Sequence, residues 1–296
     1  MTGKNSYNND LRIGELPDLR VLPAESLLFH EQPDTNRRKK LANRFAHEGI
    51  LKNPPIVAET PKGEFIILDG ANRITALIEH GIPHIVVQVV GINEKKLYLD
   101  SWHHAVEKYD RNYFCRNIDQ IDGLKCFDHS EDITHTQSVP MSANPEIIKN
   151  NNQICTLIFH DGRLCTVTSD GDLARQVRQL KEITNLYLHE PVSDRVSYIN
   201  LAHLIRHYPD FKTLLTFRRF DKDDLVALTR QGEKLPAGIT RVFLPKRALG
   251  LNIPLFFLNK PMTIEEKNEQ LNDMIIEMVR AKSIRFYREP TFAFDE

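Results

Sequence analysis

Residues 65–90 read FIILDGANRITALIEHGIPHIVVQVV, and no other stretch limits the fold so tightly. An apolar run rich in β-branched residues stops at Asp69-Gly70, as a buried strand stops at a turn. Helical spacing begins at once: Ile74, Leu77 and Ile78 share one face over residues 71–80, and Gly81 ends the helix. A second apolar run, HIVVQVV, closes the unit. Strand, helix and strand in direct succession place the chain in the α/β (α+β) class.

The turn also has a chemical reading. The first N–H groups of a helix lack intrahelical partners, and the helix dipole is positive there. A strand that runs through Asp69-Gly70 into a helix therefore offers backbone donors to a phosphate, with Gly70 allowing close approach. Arg73, in the first turn, adds a forked cation. Plain helix capping by Asp69 is the competing reading, and the turn alone does not decide between them.

The same logic organises the rest of the chain. Residues 1–14 read as a loosely attached tail and residues 15–112 as one α/β domain. Within it lie a strand before Pro23, a loop at His30-Glu31, a helix stopped by Gly49, two strands in NPPIVAE and EFIILDG, and a helix containing KKLYLDSWHHAVEKYD. Residues 113–153 are polar and weakly periodic, as in a linker or mobile segment. Residues 154–296 read as a second, mixed α/β domain. It has a hairpin around Asp161-Gly162, helical patterns over 172–185 and 196–208, a strand in KTLLTFRRF, a capped helix in DKDDLVALTRQG, a strand in ITRVFLP and a terminal helix in TIEEKNEQLNDMIIEMVRAK.

Charge and composition exclude several classes. Lys plus Arg number 39 and Asp plus Glu 40, so the 296-residue chain has no overall footprint for nucleic acid. The one dense basic run, NRRKKLANR, reads as the solvated face of a helix. No segment has the apolar length of a membrane span and the polar N-terminus is no signal peptide, which points to the cytoplasm. The four cysteines, Cys115, Cys126, Cys155 and Cys165, form no CxxC pair and read as reduced structural thiols. His203 and His207 have i, i+4 spacing but no third ligand in sight, so no metal site is assigned. Walker, protein-kinase and GxSxG motifs are absent.

His30-Glu31, a helix, KNPPIV, then ILDGANRITALIEHGI and a strand together resemble the ParB/sulfiredoxin fold. Sulfiredoxins carry a cysteine in the turn where Ala71 stands, and ParB proteins carry Glu-Arg-Arg there. The free L-serine kinases, comprising SbnI-like siderophore-cluster proteins and archaeal ADP-dependent enzymes, resemble the chain over nearly its whole length. The matching pieces are His30-Glu31, KNPPIV, Asp69-Gly70 with Arg73, SWHH at 101–104, LPAGITR at 235–241 and IRFYREPTFAFDE. One position departs: Asn72 stands where that family's turn has histidine.

The resemblance implies a ParB/sulfiredoxin-like nucleotide-binding domain, a second mixed α/β domain, and an active site in the cleft between them. It implies transfer of phosphate from ATP or ADP, with Mg²⁺, to the hydroxyl of L-serine. The product, O-phospho-L-serine, would serve amino-acid or siderophore precursor synthesis. Glu31 is then the catalytic base, and Asp69 orients the hydroxyl, holds Mg²⁺ through water, or caps the helix. Asp69, Gly70, Ala71, Asn72 and Arg73 bind the nucleotide phosphates. Trp102 walls the serine pocket with His104 nearby, while Thr240 and Arg241 hold the serine carboxylate or the phosphate. Other small hydroxyl metabolites remain open as substrates, and the rival reading is a ParB-like DNA-binding or regulatory protein.

Overall fold

A computed structural model describes residues 16–129, 152–188, 193–196 and 201–287. The expected tail at 1–14 lies outside them. In chain order the elements are β1 (Asp18–Pro23), β2 (Leu27–Phe29), α1 (Thr35–Glu48), β3 (Ile50–Leu51), β4 (Ile56–Glu59), β5 (Phe65–Asp69), α2 (Ala71–Glu79), β6 (His84–Gly91), β7 (Tyr98–Ser101), β8 (His103–Val106) and α3 (Arg111–Ile118). There follow β9 (Leu124–His129), β10 (Gln153–Phe159), β11 (Leu164–Ser169), α4 (Leu173–Asn185), β12 (Ser193–Val196), α5 (Leu201–His207), β13 (Thr213–Phe217), α6 (Lys222–Arg230), β14 (Thr240–Phe243), β15 (Ile253–Pro254), α7 (Leu255–Leu258) and α8 (Ile264–Arg280).

The first sheet has the order β1-β6-β4-β5-β2, with β2 parallel to β5 and β4 parallel to β6. Its central strands are buried on both faces, which is why they read as continuous apolar runs. Val57 and Ile67 face one core with Phe45 of α1 and Ile74 and Leu77 of α2. Ile56, Ala58 and Leu68 face the other way, into a core shared with Leu225, Leu228, Leu235 and Ile239. The first sheet is thus a middle layer, joined to the second half of the chain by apolar packing. The second sheet, β12-β8-β13-β10-β11-β9, is antiparallel throughout.

Several expectations require correction. The helix expected over KKLYLDSWHHAVEKYD is two strands: β7 pairs with β14, and β8 lies between β12 and β13. Non-local partners satisfy this backbone, and that pairing overrides a local periodicity resembling a helix. Because β8 already belongs to the second sheet, the chain changes layers before residue 112. Residues 113–129 are not linker: they form most of α3 and all of β9, while residues 130–151 lie outside the described part. The helix expected from 196 starts at Leu201, since Val196 ends β12. On α2, Ile74 and Leu77 are buried as expected, but Ile78, at the edge of the stripe, is 43% exposed. Cys126 and Cys165, diagonal neighbours on β9 and β11, are bonded to each other rather than reduced; Cys115 and Cys155 are free.

Helix α8, expected to belong to the second domain, packs on the first sheet. Asn268 accepts from the Val21 N–H at 2.8 Å and donates to the Val21 carbonyl at 3.0 Å, so its amide takes the place of a neighbouring strand at the β1 edge. Leu271 is fully buried in the first core. Leu271→Ala is therefore expected to lower the unfolding free energy by about 2–5 kcal/mol. Denaturant titration checks this, and a loss under 1 kcal/mol would contradict the placement of α8.

Candidate active site

Strand β5 ends at Asp69, and Gly70 enters α2 with φ of 94°. A β-carbon at Gly70 would lie 3.0 Å from both Arg73 Nε and Pro55 Cβ, and its backbone conformation is the left-handed one that suits glycine. The N-cap residue, Gly70, offers no side chain to this helix start. Asp69, one residue earlier, accepts from the Gly70 N–H. Its carboxylate also accepts from Arg73 Nη2 at 3.3 Å and from Arg247 Nη1. Burial pushes the Asp69 carboxyl up, but Arg73 and Arg247 outweigh it and hold it below the usual carboxylate range. Arg73 is fixed further by its 3.0 Å bond to the Asn53 carbonyl.

Asn72 ties this turn to α1. Its Oδ1 accepts from the Asp34 N–H at 2.7 Å, while Asp34 Oδ1 caps α1 by accepting from Asn36 and Arg37 N–H groups at 2.9 and 3.0 Å. The start of α1 and the start of α2 are thereby held side by side.

Glu31 approaches from the loop after β2. Backbone bonds to Leu235 flank it: Gln32 N–H to the Leu235 carbonyl at 2.8 Å, and Leu235 N–H to the His30 carbonyl at 2.7 Å. Its carboxylate is held by the next turn of that segment. Oε1 accepts from the Thr240 N–H and hydroxyl, each at 2.5 Å, and Oε2 accepts from the Gly238 N–H at 3.1 Å. His30 stands behind, with Nε2 2.7 Å from Thr240 Oγ1 and Nδ1 against the Ile67 carbonyl.

Arg195, on β12, lies flat on the Gly238 backbone: a β-carbon there would fall 2.0 Å from the guanidinium carbon. It sits 3.9 Å from Asp34. Burial, then the nearby charge of Arg37, lowers the Arg195 pKa, against the pull of Glu31 and Asp34. Arg37 and Arg195 are cations that an anion can pair with here, beside the carboxylates of Glu31 and Asp34.

These groups surround a cavity of about 460 Å³. Of the site residues expected from sequence, Glu31, Asp69, Gly70, Ala71, Asn72, Arg73, Trp102 and Thr240 line it. His104 and Arg241 do not. His104 is fully enclosed, donating from Nε2 to the Gly238 carbonyl at 3.0 Å and accepting at Nδ1 from the Tyr187 hydroxyl at 2.7 Å. Arg241 points to the other face of β14, where its guanidinium lies 4.8 Å from the Trp102 ring and 4.5 Å from the Phe243 ring. Arg37, from the basic run read as a solvated face, lines the cavity, as do Arg195 and His30. Arg37 was within reach of sequence reasoning, because it follows the α1 cap by one turn; Arg195 carried no local signal. Oxygen donors and phosphate-type cations thus face one another across one space.

No protein-family model matches the chain. Among curated proteins it is similar to an ATP-dependent L-serine kinase, SbnI, of Staphylococcus aureus, with 21% identity over 249 residues, 84% of this chain and 87% of the relative. Among solved structures it is similar to SbnI with C-terminal truncation from Staphylococcus aureus, with TM-score 0.65 and 17% identity, covering 88% of this chain and 97% of that one. A free serine kinase in complex with AMP gives TM-score 0.65 and 16% identity over 82% of this chain and 94% of that one. A conserved hypothetical protein from Pyrococcus furiosus gives 0.61 and 18% over 81% and 97%. The fold expected from the sequence resemblance is the fold observed.

Two buried histidines beside the site make stability sensitive to pH. Burial pushes His104 down to about 4, against the raising effect of the Gly238 carbonyl. Burial, then the charges of His104 and Arg219, pushes His103 down to about 3, and among the described residues neither of its ring nitrogens has a hydrogen-bond partner. In the unfolded chain both titrate near 6.5. Between pH 6.5 and about 4 the unfolded chain therefore binds protons that the folded chain refuses. Their contribution to stability is present above pH 6.5 and is lost as pH falls through that window. Unfolding free energy is expected to drop on going from pH 7 to pH 5, and the drop is expected to be about 2 kcal/mol smaller in His104→Gln. Equal drops in the two proteins would show that His104 titrates normally in the fold.

Proposed function

We propose that the chain is a free L-serine kinase, transferring the terminal phosphoryl group of ATP or ADP to the serine hydroxyl and releasing O-phospho-L-serine. The observation that carries this reading is a fixed carboxylate, Glu31, facing an uncapped helix start and a set of arginines within one cavity. The printed activities of the similar proteins support it: one is an ATP-dependent L-serine kinase, and others are free serine kinases bound to AMP or, as a variant, ADP.

In this mechanism the phosphates lie on the N–H groups of Ala71, Asn72 and Arg73, with Gly70 leaving room and Arg73, Arg37 and Arg195 neutralising charge. Serine binds between Glu31, Trp102 and Thr240. Its hydroxyl oxygen attacks the terminal phosphorus, the bond to the departing nucleotide oxygen breaks, and the hydroxyl proton passes to Glu31. Three donors occupy the Glu31 carboxylate, two on Oε1 and one on Oε2, so Oε2 keeps acceptor capacity for that proton. Asp69 and Glu31 are hard oxygen donors of the kind Mg²⁺ selects; Asp69 would hold the ion through water, and the ion would neutralise phosphate charge. His104 acts at one remove, through the Gly238 loop. Arg241 contributes through the Trp102 ring, and Arg195 is the guanidinium that faces the cavity near Thr240. A cytoplasmic enzyme supplying amino-acid or siderophore precursors fits this chemistry, and no helix among the described residues is long and apolar enough to cross a membrane.

Incubation with Mg²⁺, ATP or ADP and a panel of hydroxy amino acids is expected to yield a phosphorylated product with serine, read by mass. Glu31→Gln is expected to lower kcat by about a hundredfold or more, as loss of a positioned base does. Nucleotide affinity should stay unchanged in that variant. Turnover close to that of the unaltered chain would remove Glu31 from the chemistry, and a product formed only with another hydroxy amino acid would reassign the substrate.

A further inference from the structure

Cys115, Cys126 and Cys165 take no part in the cavity, yet three separate elements bring them together. Cys115 lies on α3, Cys126 on the edge strand β9 and Cys165 on β11. Their three sulfurs all fall within 4.8 Å of one another. Cys115 Sγ is 3.8 Å from Cys126 Sγ, and Cys126 is bonded to Cys165. In a tetrahedral zinc–thiolate site, metal–sulfur bonds of about 2.3 Å set neighbouring sulfurs about 3.8 Å apart. The Cys115–Cys126 spacing already has that value.

We propose that, with the Cys126–Cys165 bond reduced, these three thiols form a binding site for one thiophilic divalent ion of the Zn²⁺ class. Reduction by a dithiol delivers two electrons and two protons to the bond, leaving two thiols and the oxidised dithiol. The ion then displaces the three thiol protons to solvent and forms three metal–sulfur bonds, with water in the fourth position. Three thiolates around a divalent ion carry one excess negative charge. Arg111 lies four residues before Cys115 on the same helix and brings a positive charge toward its thiol, while its ion-pair partner Asp128 of β9 and Asp119 act in the opposite sense. An entry path exists, because Cys115 and Cys126 are half-buried at the sheet edge while Cys165 is enclosed. The ion pins α3 and the edge strand to β11. Cys155, buried on β10, stands outside the group and serves as the control.

The test titrates the full chain, reduced with a dithiol and freed of it under argon, with Cd²⁺ as a spectroscopic substitute for Zn²⁺. The expected result is a saturable sulfur-to-metal charge-transfer band at one Cd²⁺ per chain. In Cys115→Ser the band is expected to fall by about a third and the affinity by about tenfold or more. Cys155→Ser should match the unaltered chain. As a readout free of any variant's folding, Zn²⁺ is expected to shield Cys115, Cys126 and Cys165 together from alkylation, read by mass. The proposal is overturned by absence of a saturable band, by an unchanged band in folded Cys115→Ser, or by Cys115 alkylating equally fast with and without Zn²⁺.

Discussion

One carboxylate fixes the geometry on which the cavity depends. Glu31 comes from the loop after β2, and all three of its donors come from residues 238–240, more than two hundred positions later. Hydrogen bonds to a charged group are each worth about 1.5–3 kcal/mol, and removing them would leave a poorly solvated charge. The Gly238 loop is gripped from its other side as well. His104 binds its carbonyl, the Tyr187 hydroxyl binds His104, and the Phe114 ring meets Tyr187 edge-on at 6.0 Å between centroids. The proposed base is thus positioned by the core of the second sheet, although its own residue belongs to the first.

The opposite wall is built from local rules. An uncapped helix start, a glycine at positive φ and an arginine one turn in supply donors that a phosphate can use. Asn72 contributes by linking that turn to the Asp34 cap of α1, which in turn sets the origin of Arg37. Arg73 and Arg247 hold the Asp69 carboxyl below the usual carboxylate range, with a further bond from the Gly70 N–H.

What was legible in the sequence divides along the same line. The Asp69-Gly70 turn, α2, the capped α6 and the hairpin of β10 and β11 rest on contacts between near neighbours, and local pattern exposes them. Residues 98–106 show the converse. Their helix-like spacing yields to pairing with β14, β12 and β13, partners some ninety or more positions away. The same distance hid Arg195, whose placement over Gly238 exists only after the second sheet forms. Strand alternation separates Arg241 from the site: Thr240 points to the cavity, so its neighbour on β14 points away. The cysteine trio depends on strand register between β9 and β11, which spacing along the chain does not reveal.

The central claim, that nucleotide phosphates rest on the 69–73 turn, is tested most directly by calorimetry on Asn72→Asp. The aspartate keeps the oxygen that accepts from the Asp34 N–H, and a negative charge in the first turn favours the helix. Thermal stability is therefore expected to hold or rise. Facing the phosphates, that same charge is expected to weaken nucleotide binding by about tenfold or more, since like charges repel strongly in a partly enclosed site. Unchanged nucleotide affinity in a fully folded Asn72→Asp protein would contradict the account.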